Sequence, residues 1–247
     1  MNLKSYIDST YLKTAELAGL TEGQNQEVVK SFVEEAVQEG FKLVMIRPEM
    51  VALSRKIISE ASSNVQIGTV IDFPEGQSAI EVKLKEAEQA IADGADELDF
   101  VCNYEAFKNG EVNLVKEEIL KATQFVLSHN KTIKWIIEVA ALTDKQIIQL
   151  SSLIKNVILS NFKEADYCSV FVKSSTGFYK TPNNEPNGAT IPALIMMLEN
   201  ASPLPVKAAG GVRSYEDAVT MIKLGVKRIG TSAAKAIVDG EIHQEEY

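Results

Sequence analysis

Eight repeats of one alternation constrain this chain more than any other feature. Short β-branched or aromatic runs recur at 6–10 (YIDST), 42–46 (KLVMI), 66–72 (QIGTVID), 97–101 (ELDFV), 133–139 (IKWIIEV), 167–173 (YCSVFVK), 205–209 (PVKAA) and 227–231 (KRIGT). Between them lie longer segments with apolar residues three and four apart, among them NQEVVKSFVEEAVQEG, SAIEVKLKEAEQAIADG, NLVKEEILKATQFVLSHN, TDKQIIQLSSLIKNVIL and SYEDAVTMIKLG. Such spacing marks helices, and several segments close on Gly or Asn. Strands joined by helices pair in parallel through right-handed crossovers, and eight such units close into a (β/α)8 TIM barrel, an α/β fold. An open doubly wound sheet is the alternative, but no GxGxxG follows the first strand. The segment after RPEM is less regular than the others, and YKTPNNEPNG at 179–188 reads as a loop from its prolines and asparagines.

A length of 247 residues with 45% apolar composition suits one large core, so residues 1–247 are expected to form a single barrel domain. The 25 basic and 34 acidic residues give a net charge of −9 without a basic cluster, which argues against nucleic acid and anionic membranes as partners. Cys102 and Cys168 lack CxxC spacing and only His129 and His243 are present, so no metal site is expected; both cysteines read as core residues. The N-terminus lacks a signal-peptide apolar region and no run is long enough for a membrane span, so the expectation is a soluble, cytoplasmic protein.

In such barrels the C-terminal strand ends build the active site. Asp8, Asp72, Asp99, Glu138, Lys173 and Lys207 all stand within or at the end of apolar strands. Buried charges must pair, and two readings stay open: an interior salt-bridge network, or a catalytic site. Lys173 and Lys207 are one βα unit apart, so they project from adjacent strands. Each ammonium disfavours protonation of the other and partial desolvation acts the same way, leaving one amine neutral enough to attack a carbonyl. Asp99 is the carboxylate best placed to move protons. The segments KAAGGVRSYEDA and RIGTSAAKAI join the last two strands to helices through Gly210, Gly211, Gly230, Thr231 and Ser232, where backbone N–H groups suit a phosphate.

IDSTYLK, EVKLKEAEQAIADGADELDFVCN, IIEVAALTD, FVKSSTGF, VKAAGGVRSYEDA and RIGTSAAKAIV together resemble the deoxyribose-phosphate aldolase family, class I Schiff-base aldolases. The resemblance implies reversible cleavage of 2-deoxy-D-ribose 5-phosphate into acetaldehyde and D-glyceraldehyde 3-phosphate, a step of nucleoside catabolism needing neither cofactor nor metal. It casts Lys173 as the Schiff-base lysine, Lys207 as the lysine that lowers its pKa, and Asp99 as the proton-transfer group. It assigns substrate and phosphate binding to Asp8, Thr176, Gly177, Gly210, Gly211, Gly230 and Ser232. Related barrels associate, so a homo-oligomer is among the expectations, although no interface patch stands out.

This chain departs from the family pattern at Ser9, where many members carry histidine, at Met45 and Arg47 in the pocket wall, and at Ala233, where a second serine is frequent. Lys180, in the enlarged sixth loop, reads as a solvated side chain. Trp135 and Phe171 read as core. For Glu138 a hydrogen bond within the pocket and an ion pair with Lys173 stay equally open. His129 reads as an exposed group at a helix end, and the acidic tail bearing His243 and Tyr247 as either solvated or a lid over the mouth. Another Schiff-base aldolase with a different phosphorylated sugar, a sugar-phosphate isomerase, and a non-catalytic sugar-phosphate-binding barrel are the rival readings.

Overall fold

A computed structural model describes residues 2–182 and 187–240. The eight runs become strands β1 (Ile7–Thr10), β2 (Leu43–Ile46), β3 (Gln66–Ile71), β4 (Glu97–Val101), β5 (Thr132–Ile136), β6 (Val170–Lys173), β7 (Val206–Ala209) and β8 (Arg228–Thr231). They pair in chain order, all parallel, and β8 returns to β1 to close the barrel. The helices are α1 (Ala15–Ala18), α2 (Glu22–Glu39), α3 (Val51–Glu60), α4 (Ile80–Ala92), α5 (Tyr104–Lys108), α6 (Val112–Ser128), α7 (Asp144–Asn161), α8 (Ile191–Ala201), α9 (Tyr215–Leu224) and α10 (Ala234–Asp239). No helix of the described residues is long and apolar enough to cross a membrane.

Local sequence explains where the long helices begin. Thr21 with Gln24, and Thr143 with Gln146, form reciprocal capping boxes that satisfy the first free N–H groups of α2 and α7. Gly40 and Gly225 end α2 and α9 in the left-handed region that glycine enters without strain. The sequence reading did not single out α8, because IPALIMMLENA is apolar on nearly every face and gives no contrast for a helical period to show. Thr190 caps it, a proline stands in its first turn, and Ala193, Leu194, Met197 and Ala201 turn inward.

The main core lies between barrel and helices. Alternate strand residues, such as Val44 and Ile46, Leu98 and Phe100, and Val170 and Val172, face outward into it. Trp135 joins them, tilted on Phe100 at 5.5 Å, with its indole N–H donating to Thr123 at 3.1 Å. Phe171 is also buried. Inside the barrel, Leu43, Met45 and Val70 pack with Leu12 into a small apolar cluster against Phe73 and Phe178.

Two strand boundaries differ from the sequence reading by several residues, and the others by one at most. β6 starts at Val170, because residues Glu164–Ser169 form a 3-10 turn. Cys168 lies on that turn and is exposed, which corrects its assignment to the core; Cys102 is buried. β5 ends at Ile136, leaving Glu138 beyond the strand in the left-handed region at φ 53°. Asp72, just past β3, has the same φ of 53°.

Candidate active site

The residues that alternate with the outer core turn into the barrel, and many of them are charged. β4 supplies Glu97 and Asp99, β5 Lys134, β6 Lys173, β7 Lys207, β8 Arg228 and β1 Asp8, all buried. Parallel register sets Lys173 beside Lys207 and Asp99 beside Lys134. Asp99 Oδ2 accepts from Lys173 Nζ and from Lys207 Nζ, each at 2.9 Å, while Oδ1 accepts from Lys134 Nζ at 2.7 Å. Lys207 also reaches Asp8 at 2.6 Å, and Lys134 reaches Glu97 at 2.5 Å. Arg228 closes the network, with Nε 2.6 Å from Asp8 Oδ1 and Nη1 3.0 Å from Glu97 Oε1.

Of the two readings left open for the strand-end charges, the interior salt-bridge network is present for Asp8, Asp99, Lys173 and Lys207, as one connected set. The whole network holds three carboxylates against four cationic groups. Burying net charge is unfavourable, so the network is best satisfied when one cation gives up its proton. Lys173 gives up its proton most readily: burial first, then Lys207 and Lys134, lower its pKa to about 8 although Asp99 pulls upward. The lysine pair thus behaves in the expected direction, but burial is the largest cause and a shared carboxylate stands between the two ammonium groups. For Asp99, burial alone would raise the pKa; Lys134, Lys173 and Lys207 outweigh it and hold the carboxyl well below its usual range. Asp8 is lowered likewise, by Arg228, Lys207 and Lys134 acting against burial.

Lys134, Glu97 and Arg228 escaped the sequence reading. Their signal was present: Lys134 precedes inward Ile136 by two residues, Glu97 precedes Asp99 by two, and Arg228 precedes Gly230 by two. Ser9 lies on β1 next to Asp8 and so points to the opposite face, away from the network.

The glycine positions divide. A Cβ on Gly230 would stand 3.1 Å from Lys207 Cε and 3.4 Å from Ala209 Cβ, so this glycine makes room for the Lys207 side chain. Gly210, at φ 86°, is pressed against Gly188, whose added Cβ would come within 2.6 Å of Gly210 backbone atoms. Gly211, at φ 78°, has open space around it. Ser232 is exposed ahead of α10, and buried Ala233 offers no hydroxyl there. These segments follow β7 and β8, which are neighbours.

After β6, Thr176 donates through both its N–H and its hydroxyl to Glu138, and the Gly177 N–H donates to Ser175 Oγ at 2.9 Å. Glu138 is thus bonded to the sixth loop. Lys180 is exposed. Arg47 donates to Leu12 O at 2.8 Å, with its guanidinium over Phe73 at 4.9 Å and Phe178 at 5.8 Å, so it forms part of the mouth wall with Met45 beneath. His129 is exposed at the end of α6 and bonds Phe125 O through Nδ1 at 2.8 Å. His243 and Tyr247 lie outside the described residues.

The barrel thus holds a desolvated lysine and two further lysines on one shared carboxylate. The comparisons give the class. The pattern of the DeoC/LacD family aldolases matches residues 11–238. A deoxyribose-phosphate aldolase of Thermococcus gammatolerans is 37% identical over 246 residues, 99% of each chain. One of Streptococcus suis is 38% identical over 248 residues, covering 100% of both. Among solved structures, "QR15, an Aldolase" aligns with a TM-score of 0.79 at 31% identity, over 97% of this chain and 95% of that one. The tetrameric deoxyribose phosphate aldolase of Aeropyrum pernix aligns with 0.76 at 30%, over 96% and 89%. The chain belongs to the DeoC/LacD aldolases, within the deoxyribose-phosphate aldolase family, and is a carbon–carbon lyase.

Proposed function

We propose that this enzyme reversibly cleaves 2-deoxy-D-ribose 5-phosphate to D-glyceraldehyde 3-phosphate and acetaldehyde through an imine on Lys173. The observation that carries this reading is Asp99 Oδ2, 2.9 Å from both Lys173 Nζ and Lys207 Nζ. The neutral Lys173 amine adds to the sugar's open-chain aldehyde carbon and water leaves, giving an iminium. Loss of the C3 hydroxyl proton then breaks the C2–C3 bond. C3 leaves as the aldehyde of glyceraldehyde 3-phosphate, and the bonding pair passes to C2 as an enamine. Protonation at C2 and addition of water release acetaldehyde and return the amine. Asp99 moves the protons and Lys207 holds and resupplies them. In this reading Asp8 holds Lys207 rather than sugar.

The phosphate is assigned to the segments after β7 and β8, at Gly210, Gly211 and Ser232, where amides at strand-to-helix turns suit an anion. Gly230 acts by housing Lys207, and Thr176 and Gly177 shape the adjoining wall. Free thiols at Cys102 and Cys168 suit a reducing, cytoplasmic location. The tetramer named for the Aeropyrum pernix relative supports self-association.

The test is borohydride reduction in the presence of acetaldehyde, followed by peptide mass mapping. A two-carbon adduct on Lys173 is expected, with loss of turnover in Lys173→Leu. An adduct confined to another lysine, or no acetaldehyde released from the phosphorylated sugar, would overturn the reading.

A further inference from the structure

We propose that Glu138 is a positioning residue that locks the sixth loop in its working shape by serving as a built-in anion for the loop's donors. Its Oε1 accepts from Ser175 Oγ at 2.8 Å, and its Oε2 accepts from the Thr176 N–H at 3.1 Å and from the Thr176 hydroxyl. The two hydroxyls carry this hold onward. Ser175 Oγ accepts from the Gly177 N–H at 2.9 Å, and Thr176 Oγ1 accepts from the Phe178 N–H at 3.0 Å. Three consecutive amides after the Lys173 strand are therefore satisfied by Glu138 directly or through one hydroxyl.

Backbone pairing ties the same segments together. Ile137 N donates to Lys173 O at 3.0 Å and Val139 N to Ser174 O at 2.9 Å, so Glu138 sits between two rungs that extend the β5–β6 ladder past its regular end. Glu138 holds a left-handed φ of 53° there, a conformation that non-glycine residues keep only where surrounding contacts impose it. The residue is 1% exposed. Burial pushes its pKa up; the Thr176 and Ser175 donors, and behind them Lys173, pull it down.

The loop so fixed begins at Lys173 and ends at Phe178, whose ring meets Phe73 edge-on at 5.1 Å and packs over the apolar cluster inside the barrel. Glu138 thereby sets both the strand end that carries the amine and the wall that faces the substrate. This role differs from control of the amine's charge: burial, Asp99 and Lys207 are the leading causes acting on Lys173, and Glu138 is not among the five largest.

Two variants and three readouts test it. Glu138→Gly removes the carboxylate while giving φ 53° to the residue best suited to it, so the fold is not expected to suffer from strain. Glu138→Gln keeps an acceptor for the Thr176 N–H and is the conservative rescue. In Glu138→Gly, amide hydrogen exchange at Thr176, Gly177 and Phe178 should accelerate locally. Turnover of deoxyribose 5-phosphate should fall about 100-fold, the scale of a small misplacement of reacting groups. Glu138→Gln should recover part of both. The pH midpoint for imine formation with acetaldehyde should stay within about half a pH unit of that measured for the wild type.

Unchanged exchange at those amides overturns the proposal, as does faster exchange with undiminished turnover. A midpoint displaced by a pH unit or more does so too, because Glu138 would then act on the amine's charge. The kinetic arm rests on the function proposed above. A wild-type protein inactive on deoxyribose 5-phosphate would defeat that function, while the exchange measurement would still decide the assignment of the loop.

Discussion

Asp99 touches three lysines, and that makes the sign of each substitution predictable. Asp99 raises the Lys173 pKa while Lys207 lowers it. Lys207→Leu therefore removes a like charge and also leaves Asp99 with one cation fewer to share, so both effects raise the Lys173 pKa. The acidic limb of imine formation, expected near pH 8 in the wild type, should move to higher pH. Asp99→Asn acts oppositely, because it removes the carboxylate that favours the charged amine. Its acidic limb should move to lower pH while proton exchange at the acetaldehyde methyl group falls by about 10²–10⁴-fold, the usual contribution of a general acid–base group. Both are measurable by borohydride trapping across pH and by deuterium exchange. A fall in the two activities together with an unmoved limb in Asp99→Asn would show that the carboxylate does not set the lysine's charge. Lys207→Arg should fare poorly for a separate reason. Gly230 clears space for a lysine tip with its nearest approach at 3.1 Å, and a planar guanidinium is wider.

At the scale of elements, the segments after β6 and β7 meet through close backbone contact. Gly188→Ala places a methyl within 2.6 Å of Gly210 backbone atoms, so one strand-end turn must move. The expected destabilisation is about 1–3 kcal/mol, as for other overpacked positions. The Michaelis constant should rise more for the phosphorylated than for the free sugar, because Gly210 adjoins the proposed phosphate segment. Thermal melting and paired kinetics check it, and an equal rise for both sugars would detach this turn from phosphate recognition. Helices were legible from sequence where a polar face contrasts with an apolar one, as in α2 and α7. The helix α8 was hidden because it is apolar nearly all round, and Tyr167 and Cys168 were misread as strand because a 3-10 turn satisfies the same short apolar pattern.

For the whole molecule, the barrel interior is held by ion pairs as well as by apolar packing, which makes stability depend on pH. Asp8 and Asp99 have folded-state values below the ordinary 3.8, so the stability they contribute is present above that value and is lost as pH falls through their lowered values. Acid titration followed by circular dichroism should show unfolding that begins below the ordinary aspartate range. Lys134→Met breaks contacts to both Glu97 and Asp99 in the buried centre. A loss of about 3–5 kcal/mol is expected, since the remaining carboxylates would be left with fewer partners. Chemical denaturation measures it, and a neutral or stabilising result would mean that the network is not organised around Lys134.

Sequence by itself determined the barrel, the strand that carries each charge of the network, and the adjacency of Lys173 and Lys207, because all three follow from local period and chain order. Tertiary closure decided the rest. Arg228 meets Asp8 across a separation of 220 residues, and Lys207 meets Asp99 across 108, only because β8 returns to β1 and the strands surround one axis. A two-residue period says which face a side chain occupies, but not which residue stands across the barrel from it. The same limit hid the work of Gly230, read as part of a phosphate turn and found beside Lys207, and left Glu138 undecided until the backbone past β5 turned its carboxylate onto Ser175 and Thr176. Charges along a strand are written in the sequence, but how far burial and neighbouring charges displace their protons depends on distances that exist only after the sheet has closed.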